Sequence, residues 1–123
     1  MRQVVKCILA LVGGLAAAPA LAAELVMVEQ AYCEWCARWD AEIGVVYHKT
    51  DEGRRAPLRK IDISSPALEE MALTSHPNFT PTFILIEAGA EVGRIEGYPG
   101  EDFFWPMLGL LLDKLPEDGG SGS

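Results

Sequence analysis

Apolar residues form two kinds of pattern in the first half of the chain, a short continuous run and a helical repeat. The run Leu25–Val28 is apolar at every position, which predicts a buried strand. From Glu34 onward apolar residues recur at spacings of three and four, which predicts an amphipathic helix with one buried face. The residues on that face are Cys36, Trp39, Ile43 and Val46.

The middle of the chain predicts a second strand and a shorter helix. Thr50–Gly53 is polar and ends in glycine, which is typical of a loop. Leu58–Ile63 alternates apolar and polar residues with the period of a strand. Ser65 can then cap a helix, and Pro66 suits its first position.

The last third of the chain predicts a hairpin and a closing helix. Thr82–Ile86 is the strongest strand signal, and Gly89 turns the chain into the alternating run Glu91–Glu96. Phe103–Leu115 is rich in apolar residues and predicts the final helix. The order is therefore β-α-β-α-β-β-α. The first two strands are expected to pair in parallel through a right-handed crossover, and the whole is an α/β fold with a mixed four-stranded sheet flanked by helices.

Composition and charge narrow the classes of function. The 123 residues include 18 acidic and 10 basic side chains, for a formal net charge of −8. A general nucleic-acid-binding protein needs a basic surface, so we expect no nucleic-acid partner. The apolar runs are too short to predict a permanent membrane span.

Residues 1–22 have the pattern of a signal peptide. Two basic residues precede the apolar run Cys7–Leu15, and small residues lead to a predicted cleavage site after Ala22. The alternative is an uncut membrane anchor, which the short apolar run disfavours. We therefore expect an exported protein with one domain over residues 23–116 and a flexible tail, rich in glycine and serine, over residues 117–123.

Cys33 and Cys36 are the candidate catalytic residues. Two thiols three residues apart at the start of a helix can close a small disulfide. Unpaired backbone N–H groups and the helix dipole stabilise a thiolate at the first position, so Cys33 is the predicted nucleophile and Cys36 the resolving thiol. Glu34 beside Cys33 disfavours that thiolate and thus favours a reductant over an oxidant.

Two other interpretations of the cysteine pair remain open. As half of a zinc site it would need further ligands, and only His48 and His76 are available. These histidines are far apart in sequence and expected on the surface, so we predict no metal and no other cofactor. A purely structural disulfide would close a very small loop and would stabilise the fold only weakly.

Thr80 and Pro81 directly precede the strongest strand. The proline is either a loop terminator or a cis-proline beside the cysteines, because cis peptide bonds are essentially confined to X-Pro. In the second case the backbone of Thr80 is free to pair with an extended substrate chain.

The chain resembles the thioredoxin superfamily over Leu25–Leu115. The motifs that carry the resemblance are Cys33-Glu34-Trp35-Cys36, Lys60-Ile61-Asp62-Ile63 with Pro66, Thr80-Pro81-Thr82, and Gly97. The resemblance implies a thioredoxin-like fold and a thiol–disulfide oxidoreductase that acts on a protein disulfide substrate. It also implies that Pro81 is the cis-proline and that the substrate-binding residues are Trp35, Thr80, Pro81 and Gly97.

The chain departs from familiar thioredoxins near the cysteines. Met27 stands where those proteins keep a buried acid that accepts the proton of the resolving thiol. Glu29, two residues along the same strand face, either substitutes as a proton relay or is merely a solvated strand end. Lys60, which neighbours the acid in familiar thioredoxins, would lack its partner.

A narrower resemblance, to the small periplasmic SoxS-type thioredoxins of bacterial sulfur-oxidation (Sox) systems, rests on four segments. These are Leu25–Gln30, Cys36–Ile43, Phe79–Phe83 and Glu91–Trp105. The resemblance implies a periplasmic reductant of a Sox partner, such as the cysteine of the sulfur-carrier protein. It also implies a membrane thiol transporter as the electron donor. We further expect a monomer.

Other assignments remain open at this point. Within the same enzyme class they are a reductase for cytochrome c maturation, an oxidant or an isomerase. From a different class the alternative is a non-catalytic binding module of thioredoxin fold, which two cysteines at a helix start disfavour. The aromatic residues after Gly97 are expected mainly in the core, with Tyr98 able to line the substrate-binding surface. These residues are Tyr98, Phe103, Phe104 and Trp105.

Overall fold

Four strands form one mixed sheet in the computed structural model, which describes residues 22–116. Their bounds are Glu24–Glu29 (β1), Leu58–Asp62 (β2), Thr82–Glu87 (β3) and Ala90–Glu96 (β4). The strand order is β2-β1-β3-β4, with β1 and β2 parallel and both other pairs antiparallel. The predicted fold class, a mixed four-stranded sheet flanked by helices, is confirmed.

Helical segments lie before β2, between β2 and β3, and after β4. Their bounds are Glu34–Trp39 (α1), Val45–Tyr47 (α2), Asp51–Arg55 (α3) and Glu101–Leu112 (α4), with a π-helical turn over Asp40–Gly44 and a 3₁₀ helix over Pro66–Glu70. The 3₁₀ helix is the short helix predicted after β2, and the Ser65 hydroxyl caps it by accepting a hydrogen bond from Ala67 N at 3.1 Å. The last helix begins and ends slightly earlier than predicted.

The buried face of the first helix differs from the prediction at one position. Cys36, Trp39 and Ile43 are buried as expected. Val46, however, is 40 % exposed, and Tyr47 occupies the core in its place. The intervening π-helical turn holds more residues than an α-helical turn, so the buried stripe continues four residues after Ile43 rather than three.

The segment predicted as a loop at Thr50–Gly53 is the start of α3. The Thr50 hydroxyl caps this helix by accepting a hydrogen bond from Gly53 N at 2.9 Å. Gly53 is buried against Tyr47, where a Cβ atom would lie 1.9 Å from the Tyr47 carbonyl oxygen. The glycine therefore serves close packing, not chain reversal.

The two faces of the sheet bury different cores. Leu25 and Met27 of β1 pack on the face covered by α1 and α4, which we call the helical face. Val26 and Val28 point to the opposite face, which the 3₁₀ helix covers and which we call the back face. The helical face holds large aromatic side chains, whereas the back face is aliphatic. The buried residues of the back face are Val26, Val28, Ile61, Leu68, Ile84 and Ile86.

Phe104 lies at the centre of the aromatic cluster on the helical face. It is fully buried, and its ring centroid is 5.0 Å from that of Phe83 and 5.7 Å from that of Trp39. Tyr98 is also buried and meets Phe104 edge to face. Phe103 was expected in the core but is 65 % exposed, because successive residues of a helix point in different directions and Phe104 takes the inward one.

Both predicted terminal segments fall largely outside the described residues. The predicted signal peptide, residues 1–22, reaches them only at its last position, and the predicted tail, residues 117–123, does not reach them at all. Among residues 22–116, none of the helices is long and apolar enough to span a membrane.

Candidate active site

Three loops meet at one end of the sheet, where β1 and β4 finish and β3 begins. Val28, near the end of β1, pairs with Thr82 at the start of β3, because these strands run antiparallel. Glu96, at the end of β4, pairs with Thr82 from the other side. The segments after β1, before β3 and after β4 therefore converge. They carry the cysteine pair, the Thr80–Pro81 dipeptide and Gly97 respectively.

Cys33 and Cys36 differ sharply in exposure. Cys33 is the N-cap of α1 and is half-buried, whereas Cys36 is only 4 % exposed. The two residues form a disulfide, and Cys33 Sγ also accepts a hydrogen bond from Cys36 N at 3.1 Å. A backbone N–H group of the first helical turn thus points at Cys33 Sγ, which favours a thiolate there once the disulfide is reduced.

Hydrogen bonds tie the loop before β3 to both of its neighbours. The Thr80–Pro81 peptide bond is cis, and the carbonyl oxygen of the buried Pro81 accepts a hydrogen bond from Gly97 N at 2.8 Å. Gly97 has a φ of 87°, in the left-handed region that glycine adopts freely. On the other side, Gln30 Nε2 donates to Thr80 Oγ1 at 3.0 Å. The three loops are therefore fixed relative to one another.

Three exposed aromatic residues are adjacent in sequence to residues of the predicted site. Trp35, between the two cysteines, is 51 % exposed. Tyr32 and Phe79 are exposed as well, although neither was predicted to belong to the site. Their positions directly before Cys33 and Thr80 were the available signal. Clustered exposed aromatic residues are typical of a surface that docks another protein.

Glu29 lies beside Lys60 at the end of β1. Lys60 Nζ is 3.8 Å from Glu29 Oε1 and 2.8 Å from Asp40 Oδ1. Lys60 thus lacks the acid that familiar thioredoxins keep at the position of Met27, but Asp40 of the π-helical turn supplies a different acidic partner. Met27 is fully buried and apolar, whereas Glu29 is partly exposed. Asp40 was missed because its approach to Lys60 depends on how the helix packs on the sheet.

A chain of contacts links Trp35 to the loop after β4. The Arg38 guanidinium lies 5.4 Å from the centroid of the Trp35 ring. Glu42 Oε2 accepts a hydrogen bond from Arg38 Nε at 3.2 Å, and Glu42 Oε1 accepts one from the Tyr98 hydroxyl at 2.5 Å. Tyr98 is only 6 % exposed, so it supports the surface from beneath instead of lining it as expected.

The Glu42–Tyr98 contact perturbs both groups. The hydrogen bond from Tyr98 and then that from Arg38 lower the pKa of Glu42. Burial and the hydrogen bond to Glu42 raise the pKa of Tyr98. The carboxylate is therefore charged and the phenol remains a neutral donor throughout the neutral pH range.

The two histidines lie in separate segments of the chain. His48 follows α2 and His76 lies in the loop before β3, and both are exposed as expected. Within residues 22–116, no group of three or more His, Cys, Asp or Glu side chains is placed to hold a metal ion.

Two of the solved structures similar to this chain are thioredoxins. The periplasmic thioredoxin SoxS from Paracoccus pantotrophus, in its reduced form, is 50 % identical, with a TM-score of 0.72; the match covers 75 % of this chain and 97 % of that chain. The thioredoxin Mala s 13 of Malassezia sympodialis is 16 % identical, with a TM-score of 0.50 and coverage of 74 % and 78 %, and supports the fold alone. No protein-family model and no curated protein matches the chain.

Proposed function

Because the chain belongs to the thioredoxin superfamily, we propose that it is an exported thiol–disulfide oxidoreductase that reduces a partner protein in periplasmic sulfur oxidation. The group reduced is a disulfide or a modified cysteine of the partner. The observation that carries the proposal is the asymmetric pair of a reachable Cys33 and a buried Cys36 at the start of a helix.

The proposed reaction is a two-step exchange. The Cys33 thiolate attacks one sulfur of the partner's disulfide, and the partner's other sulfur leaves as a thiolate. Cys36 then attacks Cys33 Sγ, which closes the Cys33–Cys36 disulfide and releases the partner's second thiolate. Two electrons pass to the partner, so the oxidised protein must be reduced again. We propose a membrane thiol transporter as the electron donor.

Burial of Cys36 supports this division of roles. A bulky partner disulfide cannot reach a sulfur that is almost fully covered, so the first attack falls to Cys33. The Cα atoms of the two cysteines are 5.2 Å apart, within the range that a disulfide requires. The two positions are thus spaced for the disulfide that the resolving step forms.

Trp35, Thr80, Pro81 and Gly97 are the proposed substrate-binding residues. Trp35 lies at the start of α1 and offers an exposed apolar surface there, and the other three lie in the loops that converge on this helix. An extended segment of the partner is expected to lie along the backbone of Thr80 in the manner of an added strand.

Glu29 is the proposed proton relay for Cys36. It follows Met27 on the same strand face, and Lys60 lies close enough to stabilise its charged form. Glu29→Gln should slow the resolving step and shift its pH profile while leaving the first attack unchanged. An unaltered pH profile would show that Glu29 is only a solvated strand end.

The compartment and the partner rest on similarity and on the N-terminal pattern. The SoxS protein of P. pantotrophus is a periplasmic thioredoxin, and residues 1–22 here have the charge and small-residue pattern of a signal peptide. We therefore propose the periplasm as the compartment and a Sox sulfur-carrier protein as the partner. Glu34 beside Cys33 supports electron flow toward the partner, since its charge disfavours the thiolate.

Insulin reduction tests the activity. Wild-type protein with dithiothreitol should precipitate the reduced insulin B chain faster than dithiothreitol alone, and Cys33→Ser should abolish the difference. Equal activity of wild type and Cys33→Ser would favour the non-catalytic binding module.

A trapping experiment tests the partner. Cys36→Ser should stop the reaction at the mixed disulfide on Cys33, which can be isolated from the native cell and its attached protein identified. Recovery of a sulfur-carrier protein supports the proposed role. Recovery of unrelated envelope proteins alone would exclude it.

A further inference from the structure

The substrate-binding surface has two sides that belong to different elements. One side is Trp35 on α1, and the other is formed by Pro81 and Gly97 from two loops. A small disulfide compound needs only the sulfur of Cys33, whereas a folded partner must touch both sides at once. The relative placement of the two sides therefore matters for a protein substrate more than for a small one.

Glu42 connects the two sides. One of its carboxylate oxygens accepts from Arg38, whose guanidinium covers the Trp35 ring. The other oxygen accepts from Tyr98, which is 56 residues away in the chain. Each oxygen thus bonds to a different element, one on the cysteine-bearing helix and one on the loop after β4.

The connection continues through the backbone to the proline. Tyr98 directly follows Gly97, and Gly97 N donates to the Pro81 carbonyl oxygen at 2.8 Å. The ring of Tyr98 is held in turn against Phe104, with the two planes at 69°. The contacts form an unbroken path from the Trp35 ring to Pro81.

We propose that Glu42 is a positioning residue that holds Trp35 and the Gly97–Pro81 loops at the spacing a protein substrate requires. This inference rests on the proposed function, because it concerns docking of a partner protein at the same site. Glu42 touches neither cysteine in this path, so it is expected to affect docking and not sulfur exchange.

Two variants and one control test the proposal. Glu42→Gln keeps the shape of the side chain but removes the charge that Arg38 meets. Tyr98→Phe removes only the hydroxyl and leaves the ring beside Phe104. The control is Asp51→Asn, which removes an acidic partner of Arg54 on α3. This helix lies just before β2, at the opposite end of the sheet.

The measurement compares a protein substrate with a small one in single turnovers of pre-reduced protein. The half-saturating concentration of insulin should rise about threefold to tenfold in both variants, the size expected for losing a hydrogen bond of ordinary strength. The maximal rate with insulin and the rate with the small disulfide 5,5′-dithiobis(2-nitrobenzoic acid) should change less than about twofold. Asp51→Asn should match the wild type with both substrates.

Three results would overturn the proposal. The first is an equal loss with insulin and with the small disulfide, which a general structural defect would produce. The second is no change with either substrate. The third is a double variant whose losses simply add, since both single changes interrupt the same path through Glu42. Failure of the proposed function is distinct, because wild-type protein itself would then show no Cys33-dependent insulin reduction, which overturns both proposals.

Discussion

The helical face and the back face of the sheet are closed by different means. On the helical face, rings of Trp39, Phe83 and Phe104 interlock beneath α1 and α4. On the back face, one short 3₁₀ helix covers aliphatic side chains, and the nearly buried pair Glu91–Arg94 closes the side next to β4. Packing of aromatic rings therefore holds the cysteine-bearing helix on the sheet, whereas an ion pair contributes to the stability of the back face.

Glu91 sits at the centre of a polar network on the back face. Both of its oxygens accept hydrogen bonds from Arg94, and one also accepts from the backbone and hydroxyl of Thr74. Arg94 donates in addition to the Ser75 carbonyl oxygen at 2.6 Å. This network fastens the loop before β3 onto the sheet. The comparison predicts that the two faces respond to different perturbations.

Removing the central ring of the helical face should have the largest effect on stability. Phe104→Ala should lower the free energy of unfolding by about 3–5 kcal/mol, because it leaves a cavity among rings that cannot collapse together. Phe103→Ala, the same change at the exposed neighbouring position, should cost less than about 0.5 kcal/mol. Urea unfolding followed by circular dichroism measures both. Equal losses would contradict the assignment of Phe104 as the centre of the cluster.

The equivalent change on the back face should be smaller. Leu68→Ala should cost about 2–4 kcal/mol, since a single short 3₁₀ helix carries this residue and has room to shift, because its Ala67 and Glu70 line an open groove of about 570 Å³. The matched control is Leu110→Ala, at an exposed leucine of α4. If Leu68→Ala proved more damaging than Phe104→Ala, the back face and not the helical face would dominate stability.

Acid should weaken the back face through Glu91. Hydrogen bonds, first from Arg94, lower the pKa of this carboxyl from its ordinary 4.5. Its contribution to stability is therefore full above pH 4.5 and is lost as the pH falls through the folded-state pKa. Glu91→Gln should cost about 1.5–3 kcal/mol at pH 7, as for hydrogen bonds to charged groups, and less at low pH.

Unfolding curves at several pH values check the role of Glu91. The difference between wild type and Glu91→Gln should shrink below pH 4.5, whereas the exposed control Glu70→Gln should show no such trend. A difference that stays constant across the acid range would rule out the ion pair as its source.

A single hydroxyl on the helical face should have a smaller effect. Tyr47 donates to the buried Ala56 carbonyl oxygen at 2.6 Å, so Tyr47→Phe should cost about 1–2 kcal/mol by leaving that oxygen unpaired. Tyr32→Phe removes a hydroxyl from a fully exposed ring and should leave the unfolding midpoint unchanged. A similar cost for both would mean that the Tyr47 hydrogen bond contributes nothing.

A change at Glu34 should have the smallest effect on the free energy of unfolding but a clear effect on the reduction potential. Glu34→His removes a negative charge beside Cys33 and should raise the reduction potential, with each ~30 mV equal to ~1.4 kcal/mol. Glu69→His makes the same change in the 3₁₀ helix and should not alter the potential. Equilibration with glutathione buffers measures the potential. A wild-type value near those of strong oxidants would exclude the proposed direction of electron flow.

Local patterns were enough to locate the strands and the cysteine pair. The continuous apolar run of β3 gave the strongest strand signal, and the alternation around Ile61 indicated β2. The cysteine pair could be recognised because the backbone N–H groups at the start of a helix stabilise a thiolate only a few residues away in sequence. The strands and the cysteine pair could be predicted because both depend on residues that are close together in the chain.

Features that depend on distant residues were missed. Asp40 meets Lys60 and Glu42 meets Tyr98 only after the helix has packed onto the sheet. Gly53 was taken for a loop residue, because nothing local shows that the Tyr47 carbonyl lies against it. These errors share one cause, the absence of tertiary contacts from local patterns.

The strand order has a consequence for self-association. It makes β2 and β4 the edge strands of the sheet. The unpaired backbone groups of an edge strand can pair with a second copy of the chain. On β2, the exposed cations Arg59 and Lys60 stand on a short strand that Pro57 precedes. On β4, a bridge from Ala72 to Ala90 covers the beginning of the strand. We therefore expect the folded domain to resist aggregation through pairing of its edge strands.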